Sequence, residues 1–424
     1  MAPPSHAACQ DGESASCAVS GESCPGQRIC EGGRWGVCEP VECNPIVITP
    51  SLRSEGLGSG NEVSAIPQGA SALRSFVYPR DFNFIASVDA GPAISTLRLS
   101  GSVDVKCELG GVEYSFQTPF LQDLAGNGST AGLTLTRSFS TNSALCPAGY
   151  RRVAVRYQAV ATAFPSTGPG VSTLTGTAEY LRWLKFMTWN IHHGVGRDQV
   201  LNLQRISDTL LASGAHFAGF QDVDRYWSGR SDCKNQPMLL QQQTGWAMRY
   251  SASLDQSGNI FQCGLGNRRQ YGNLILSRFP IQSDAIWYLY YPDGYERRSA
   301  IGAVVSIGGT SITIFSSHLQ HGSGSSLETI RYFQAMDLME FINLYSGPRV
   351  LMADLNAIET AWELQPVRDG LQDTWFAAGN PSADRIDYIF STPLPVARSY
   401  KVASDASDHD ALMSWVTLEP ASAP

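Results

Sequence analysis

The sequence lacks any apolar run long enough to cross a membrane as a helix. Its first residues also lack the basic start and apolar core of a secretory leader. No two cysteines have the Cys-x-x-Cys spacing of common zinc sites, which makes zinc the weaker explanation for the many cysteines near the start. These absences exclude a helical membrane protein and disfavour a zinc module.

Positive charge is also in short supply. Lysine is scarce, arginine supplies most of the basic residues, and the formal net charge is −8. Acidic residues outnumber basic ones after Trp183 as well. Broad affinity for nucleic acid depends on clustered Lys and Arg that neutralise phosphates, so composition gives it no support.

The ten cysteines fall in even groups along the chain. Even numbers within a region are typical of disulfides in an oxidising compartment. We therefore expect a mature secreted protein, extracellular or periplasmic, from which a leader has been removed. The sequence does not choose the pairing among the first six. The positions are Cys9, Cys17, Cys24, Cys30, Cys38, Cys43, Cys107, Cys146, Cys233 and Cys263.

Three regions differ in their patterning. Residues 1–45 are too short to fold on an apolar core, so they predict a small disulfide-rich module. Residues 46–183 carry short alternating runs separated by Gly, Pro, Asn and Ser, which predict an all-β, immunoglobulin-like sandwich. Residues 184–424 alternate strands with amphipathic helices and predict an α/β domain. The strands expected in the middle region are Thr96–Leu109, Val112–Leu121, Gly132–Ser140, Arg152–Ala163 and Val171–Leu184.

Polar residues recur in the last region just after apolar runs, where α/β folds place their chemistry. Together they supply asparagines, carboxylates and two histidines, an inventory that suits a hard divalent cation holding a phosphate beside a base and an acid. The motifs in chain order are Thr188–Gly194, Gln221–Arg225, Tyr271–Arg278, Glu296–Arg298, Ser317–Leu319, Ala353–Ala357, Arg385–Tyr388 and Ser407–His409.

With these motifs, residues 184–418 resemble the endonuclease/exonuclease/phosphatase superfamily, which includes deoxyribonuclease I and bacterial neutral sphingomyelinases. The nearest resemblance is to a branch of bacterial metal-dependent hydrolases. It implies a deoxyribonuclease I-like, four-layer α/β sandwich that hydrolyses a phosphoester. The implied cofactor is Mg²⁺, with Mn²⁺ or Ca²⁺ as alternatives.

The resemblance implies a role for each motif residue. Asn190, Asp222 and Asp408 would be the metal ligands, since oxygen ligands suit Mg²⁺. His409 would be the general base, and Asp387 would orient it and stabilise its charged form.

Five further residues follow from the same motifs. His318 would stabilise the transition state or protonate the leaving oxygen, and Asn356 would donate to a phosphate oxygen. Asp354 would position the attacking water, and the choice of base between Asp354 and His409 stays open. Asn273 and Arg298 would contact the substrate.

One departure from the family pattern concerns the metal site. Asp222 stands where the family has Glu, one methylene longer. The shorter side chain could weaken cation binding, or mark a decayed site and a binding protein on a hydrolase fold. His192, His193 and His321 lack the support that the family order gives to His318 and His409, and we expect structural roles for them, with entry of one of them into the pocket as the alternative.

Several substrates are compatible with these motifs. The aromatic segment Ile286–Tyr291 would suit a membrane interface if exposed, although an ordinary half-buried strand is the simpler expectation. A phospholipid head group or small phosphodiester is favoured over DNA, and a secreted endonuclease is the alternative. The loop between Cys233 and Cys263, with Asp232, Asn235 and Gln236, is expected to select the substrate. No obligate protein partner is expected.

Overall fold

The computed structural model divides into two compact units, Met1–Arg74 with Pro79–Glu179, and Ser75–Tyr78 with Tyr180–Pro424. The predicted boundary between residues 45 and 46 stays a prediction. The structure describes residues 10, 13–18, 25–31, 34–35, 39–40, 51–57, 64–65, 73–76, 81–89, 93–110, 112–126, 131–140, 146–166, 172–258, 263–264, 266–307 and 309–418.

The N-terminal region contains four short strands that form one small sheet around β2. Their bounds are β1 Ser14–Ala18, β2 Pro25–Glu31, β3 Arg34–Trp35 and β4 Glu39–Pro40. Cys30 is buried and disulfide-bonded. The side chains of the other five N-terminal cysteines lie outside the described residues.

Two sheets, in which neighbouring strands pair mostly antiparallel, make up the following all-β region. Their orders are β10-β9-β12-β13-β7 and β11-β8-β5-β6. A disulfide joins Cys107 in β9 to Cys146. The strands are β5 Ser51–Leu57, β6 Ser64–Ala65, β7 Leu73–Phe76, β8 Asp81–Val88, β9 Ile94–Leu109, β10 Val112–Ala125, β11 Leu133–Ser140, β12 Arg151–Pro165 and β13 Ser172–Leu181.

The second unit contains two six-stranded sheets, with orders β16-β17-β15-β14-β25-β24 and β18-β19-β20-β21-β23-β22. The strands are β14 Leu184–Asn190, β15 Phe217–Arg225, β16 Ala247–Ser257, β17 Arg268–Ser277, β18 Ile281–Tyr288, β19 Ser299–Ile307, β20 Thr310–His318, β21 Arg349–Asp354, β22 Gln372–Asp373, β23 Asp387–Ser391, β24 Val396–Val402 and β25 Ala411–Val416.

In the described residues of the second unit, these sheets are accompanied by the α-helices α1 Leu203–Ser213, α2 Gln236–Thr244, α3 Ser325–Asn343, α4 Gln365–Gly370 and α5 Thr374–Ala377. The Asn202 side chain accepts from two backbone amides at the start of α1, and Gly214 ends that helix in the left-handed conformation that glycine adopts readily. In the part of the chain that the structure describes, no helix is long and apolar enough to span a membrane.

The two sheets pack face to face, and helices cover their outer sides. Gln221 in one sheet donates to Ser316 Oγ and Met352 O in the other, and a Cβ on Gly219 would clash with Met352. Helix α1 packs in the same buried cluster as the first sheet, and α3 packs with the second. This sandwich of two sheets between helices is the architecture that the family resemblance implies.

Candidate active site

Three candidate residues lie in one row across adjacent strands. His318 is the last residue of β20 and pairs in register with Asp354, the last residue of β21. Asp354 in turn pairs with Asp387, the first residue of β23. Neighbouring residues in register have Cα atoms about 5 Å apart, so the pairing alone brings these side chains to one edge of the sheet.

Asp222 reaches the site through a bulge in the other sheet. Between Phe220 and Val223 of β15, two residues stand opposite one residue of β17. Asp222 has a φ of 59°, in the left-handed region that non-glycine residues rarely adopt. A bulge re-aims side chains, which explains how Asp222 leaves the regular alternation of the strand.

Of these residues, Asp222, His318 and Asp354 line a cavity of about 380 Å³, whereas Asp387 does not line it. That volume is in the range of small-molecule sites. The lining comprises Asn190, His192, His193, Asp222, Trp227, Arg230, Leu254, Tyr271, Glu296, Arg298, His318, His321, Asp354, Asn356, Asp408 and His409.

His409 and Asp387 form a hydrogen-bonded pair, with Nδ1 and Oδ2 2.7 Å apart. Burial lowers the pKa of His409, but the hydrogen bond and charge of Asp387 outweigh it and raise the pKa to about 9. Burial and the nearby Asp354 carboxylate raise the pKa of Asp387 to about 6. The pair is therefore imidazolium and carboxylate near neutral pH.

Asp354 connects this pair to Asn190. Its Oδ2 accepts from Asn190 Nδ2 at 3.0 Å, and its Oδ1 accepts from the Asn356 backbone N–H at 3.0 Å. Asn190 Oδ1 accepts from the His192 N–H at 3.0 Å. Both side chains are almost completely buried, so their orientations are set by these bonds.

His318 lies between Asp222 and Asn356. The Asn356 Nδ2 group, 2.8 Å from His318 Nε2, also donates to Leu319 O, so the ring nitrogen accepts. His318 Nδ1 lies 3.0 Å from Asp222 Oδ1, although the angle is not that of a hydrogen bond. We treat this second contact as electrostatic, because it is close while its direction is poor.

Asp222 is also held by Tyr271, whose hydroxyl donates to Asp222 Oδ1. Arg298 Nη1 donates to that hydroxyl at 3.3 Å, and Nη2 lies 3.2 Å from Glu296 Oε1 and from His321 Nδ1. Burial would raise the pKa of Asp222, but His318, Tyr271 and Arg298 outweigh it and hold the pKa well below its usual range. Asp222 is therefore a carboxylate whenever the protein is folded near neutral pH.

The donor set fits a hard divalent cation. Asp222, Asp354 and Asp408 line the cavity with the Asn190 amide, and oxygen donors of this kind suit Mg²⁺. The most compact group of candidate donors is a different one: atoms of Asp354, Asp387 and His409 lie within 4.8 Å of one another. The metal set implied by the motifs, Asn190, Asp222 and Asp408, stays a prediction.

The three histidines expected to be structural all line the cavity. His192 and His193 both have positive φ, 45° and 44°, and their rings are 4.4 Å apart. Burial, together with the nearby Arg230, lowers the pKa of His193 to about 4. His192 Nδ1 lies 3.8 Å from Asp408 Oδ1. The motif Thr188–Gly194 contains His192 and His193 but assigned them no role, and their place in the cavity follows the unusual backbone after Asn190.

Asn273, expected to contact substrate, is not among the lining residues. It is buried, and its Nδ2 donates to Ser299 O at 2.8 Å. Ser299 Oγ in turn lies 2.8 Å from Ser251 Oγ and 2.7 Å from Ser253 Oγ. Asn273 thus belongs to a buried polar network that joins β16 and β17 to β19.

The loop after β15 forms a wall of the cavity that sequence motifs did not indicate. Arg230 makes two hydrogen bonds to buried Asp224, and Arg269 stacks on Trp227 with its guanidinium carbon 4.9 Å from the ring centroid. A disulfide joins Cys233 to Cys263. Of the loop residues expected to select substrate, Asp232, Asn235 and Gln236 do not line the cavity, whereas Trp227 and Arg230 do.

Residues 187–409, more than half of the sequence, match the model of the Endonuclease/Exonuclease/phosphatase family. The chain belongs to the endonuclease/exonuclease/phosphatase family. This finding confirms the resemblance stated from the motifs. Members of this family are generally phosphoester hydrolases. No curated protein matches the chain.

Solved structures similar to the chain include three examples. An endonuclease/exonuclease/phosphatase of Beutenbergia cavernae DSM 12333 is 23% identical, with a TM-score of 0.47, and the match covers 55% of this chain and 71% of that one. The mannosyl-6-phosphatase of Bacteroides thetaiotaomicron VPI-5482 is 16% identical, with a TM-score of 0.42 and coverage of 55% and 99%. The human Nocturnin catalytic domain with bound sulfate is 20% identical, with a TM-score of 0.44 and coverage of 55% and 93%.

Proposed function

We propose that the second unit is a divalent-metal-dependent phosphodiesterase that acts on a phospholipid head group or another small phosphodiester. The observation that carries this proposal is the 2.7 Å pair of His409 and Asp387, in which His409 lines the same cavity as Asp222 and His318 and Asp387 holds it from behind the cavity wall. A base held by a carboxylate, beside further carboxylates and a second histidine, suits attack of water on a phosphoester.

His409 would accept the proton of the attacking water once its ring is neutral, and Asp387 would stabilise the resulting imidazolium. On the other side of the cavity, Asn356 Nδ2 would donate to a phosphate oxygen that takes the place of His318 Nε2 as its acceptor. His318, after its Nε2 takes up a proton from solvent, would then donate to the phosphate or to the leaving oxygen. Asp354 holds the Asn356 backbone and Asn190 in place.

Asn190, Asp222 and Asp408 would hold Mg²⁺, or Mn²⁺ or Ca²⁺ in its place. When bound, the cation would neutralise charge on the phosphate oxygens. Tyr271 and Arg298 would keep the Asp222 carboxylate in a fixed orientation. That support from neighbouring side chains favours an active site over a decayed one, because it holds the shorter Asp222 side chain in position.

The arginines argue for a small substrate over nucleic acid. Both pairs of adjacent arginines in this unit already make contacts within the protein or are buried. Arg268 pairs with Asp255 at 2.7 Å, and Arg269 donates to Trp227 O. Arg297 donates to Ser253 O, and Arg298 is buried. A duplex-binding surface needs exposed cations that reach backbone phosphates, and these four side chains do not supply one.

We also propose that the protein is secreted and that its all-β region is an immunoglobulin-like sandwich. Disulfides Cys107–Cys146 and Cys233–Cys263 support an oxidising compartment. The two sheets of the first unit support a sandwich.

The test is hydrolysis by the full-length protein across phosphatidylcholine vesicles, a soluble phosphodiester and plasmid DNA, each with Mg²⁺ and with chelator. His409→Ala is run beside the wild type on every substrate. The proposal expects Mg²⁺-dependent turnover of lipid or soluble ester that disappears in the variant. Turnover of plasmid alone would replace it with a secreted endonuclease. No turnover of any substrate would favour a binding role for a weakened site.

A further inference from the structure

Exposed aromatic side chains lie on the connection that follows β18, on α3 and near residue 362. We call this set the aromatic patch; its members are each 40% to 51% exposed. They are Tyr288, Tyr290, Tyr291, Tyr295, Phe333 and Trp362. Single exposed apolar residues are common, but a group of rings in one region marks an interaction surface.

Ring contacts make much of this patch continuous across three elements. Tyr290, after β18, lies 5.1 Å from Phe333 of α3, measured between ring centroids. Phe333 lies 5.8 Å from Tyr332, which lies 5.3 Å from Trp362. The backbone is fixed as well, because Gln334 Nε2 donates to Tyr290 O and Asp337 accepts from Tyr290 N–H. The rings are therefore presented on a fixed framework.

The patch and the cavity share one hairpin. Residues 289–298 connect β18 to β19, and Leu289 N–H donates to Arg298 O at its base. Tyr290, Tyr291 and Tyr295 are exposed in this hairpin, whereas Glu296 and Arg298 line the cavity. A surface that bound the tyrosines would therefore lie next to the cavity opening.

We infer that the aromatic patch docks the protein on an uncharged or zwitterionic lipid surface, such as phosphatidylcholine, so that head groups reach the cavity. This inference rests on the proposed function and names its partner. Tyr and Trp prefer the boundary between lipid head groups and acyl chains, where an apolar ring and a polar edge are both satisfied.

Local charge selects the type of lipid. Segments 288–297 and 325–340 hold five acidic residues and two basic ones, and no lysine. One of the two arginines, Arg331, is buried against Glu363 at 2.9 Å. The other, Arg297, stacks on Tyr288 at 4.3 Å. Anionic lipid would be repelled by this surface, so the rings and not electrostatic attraction must supply the binding free energy.

The experiment measures co-sedimentation of the full-length protein with sucrose-loaded phosphatidylcholine vesicles in the presence of chelator. We expect binding that is insensitive to salt and that phosphatidylserine does not strengthen. The double variant Tyr290→Ser/Tyr291→Ser should weaken vesicle binding about tenfold, because buried ring area drives the association. Phe333→Ser, on a different element, should act in the same direction.

The matched control is Tyr114→Ser, which removes a similarly exposed tyrosine from the first unit and should leave vesicle binding unchanged. Hydrolysis of a soluble phosphodiester is measured on the same variants and should stay at the wild-type rate. The two measurements are independent. If the protein hydrolysed no substrate, the proposed function would fail, but vesicle binding could still be measured and this inference still tested.

Three results would overturn the inference. The first is no binding to any vesicle, and the second is binding that appears only with anionic lipid. The third is self-association in sedimentation velocity that the patch variants abolish, which would assign the patch to a second copy of this chain.

Discussion

His409 Nδ1 lies 2.7 Å from Asp387 Oδ2, although the two residues are 22 positions apart and come from different segments of the second unit. Asp387 begins β23, in register with Asp354, and His409 follows β24 just before β25 begins. One six-stranded sheet thus supplies Asp387, and the connection between two strands of the other sheet supplies His409.

Removing the base should remove most of the activity. His409→Ala is expected to lower kcat by about 10³-fold, since a positioned base contributes roughly 10² to 10⁴. Asp387→Asn should lower kcat by about 10²-fold, with little change in KM, because the ring remains but loses its anionic partner. Asp208→Asn, an exposed carboxylate of α1, serves as the control. Equal activity of Asp387→Asn and wild type would show that the pair is only structural.

The protonation of His409 can be measured directly in the metal-free protein. Its imidazole should titrate near 9, above the ordinary value of 6.5, because Asp387 stabilises the imidazolium. In Asp387→Asn, the largest influence opposing burial is removed, so the pKa of His409 should fall. Histidine NMR signals give both values, with His409→Ala to assign the resonance. A wild-type pKa at or below 6.5 would contradict the pairing.

Tyr271 is expected to support the cation site. Tyr271→Phe removes the hydroxyl that donates to Asp222 and receives a hydrogen bond from Arg298. Loss of such supporting bonds typically costs 10- to 100-fold in metal affinity, so the Mg²⁺ concentration for half-maximal activity should rise by about tenfold or more. Tyr250→Phe is a matched control, since that hydroxyl bonds Val223 O. Equal shifts in both variants would refute a specific role for Tyr271.

Asn273 should matter for stability and not for substrate affinity. Asn273→Ala leaves the buried Ser299 carbonyl without that donor, which should cost about 1–3 kcal/mol of unfolding free energy. KM should be unchanged, because Asn273 does not line the cavity. Urea denaturation and steady-state kinetics measure both, with exposed Asn343→Ala as control. A raised KM at wild-type stability would restore the substrate contact expected from the motifs.

Much of the second unit follows from its sequence because its strands are buried and end at polar motifs. Every residue of β14 is buried, and Asn190 closes it where the motif places it. The row from His318 to Asp387 depends only on strand register, which short apolar runs fix well. In the first unit, the bounds of the predicted strands from Thr96 onward agree closely with those of β9 through β13.

The sequence was less informative where backbone geometry departs from regular elements. The apolar run expected as one strand, Val171–Leu184, is two strands, because β13 ends at Leu181 and β14 starts at Leu184 in the other sheet system. His193 reaches the cavity because its φ is positive, and the presence of a histidine in the sequence does not predict a positive φ. Trp227 was not predicted, because the contact that holds its ring in the loop comes from Arg269, 42 residues later in the sequence.

The aromatic segment has one buried side and one exposed side. A half-buried strand was the simpler expectation, and Trp287 does pack on Phe341 with ring centroids 5.6 Å apart. Ile286 and Tyr288, the alternate residues, are exposed. Period-two alternation predicts such a division, but only the tertiary structure shows that Tyr290, the next residue of the exposed alternation, contacts Phe333 of α3.

The most direct test of the central claim is the release of p-nitrophenol from bis(p-nitrophenyl) phosphate by the full-length protein. The rate is compared with Mg²⁺, with chelator, and with Mg²⁺ restored, for wild type and His409→Ala. We expect turnover that chelator abolishes and Mg²⁺ restores, with a rate about 10³-fold lower in the variant. Turnover that persists in chelator, or that His409→Ala retains in full, would contradict a metal-dependent centre built on His409 and Asp387.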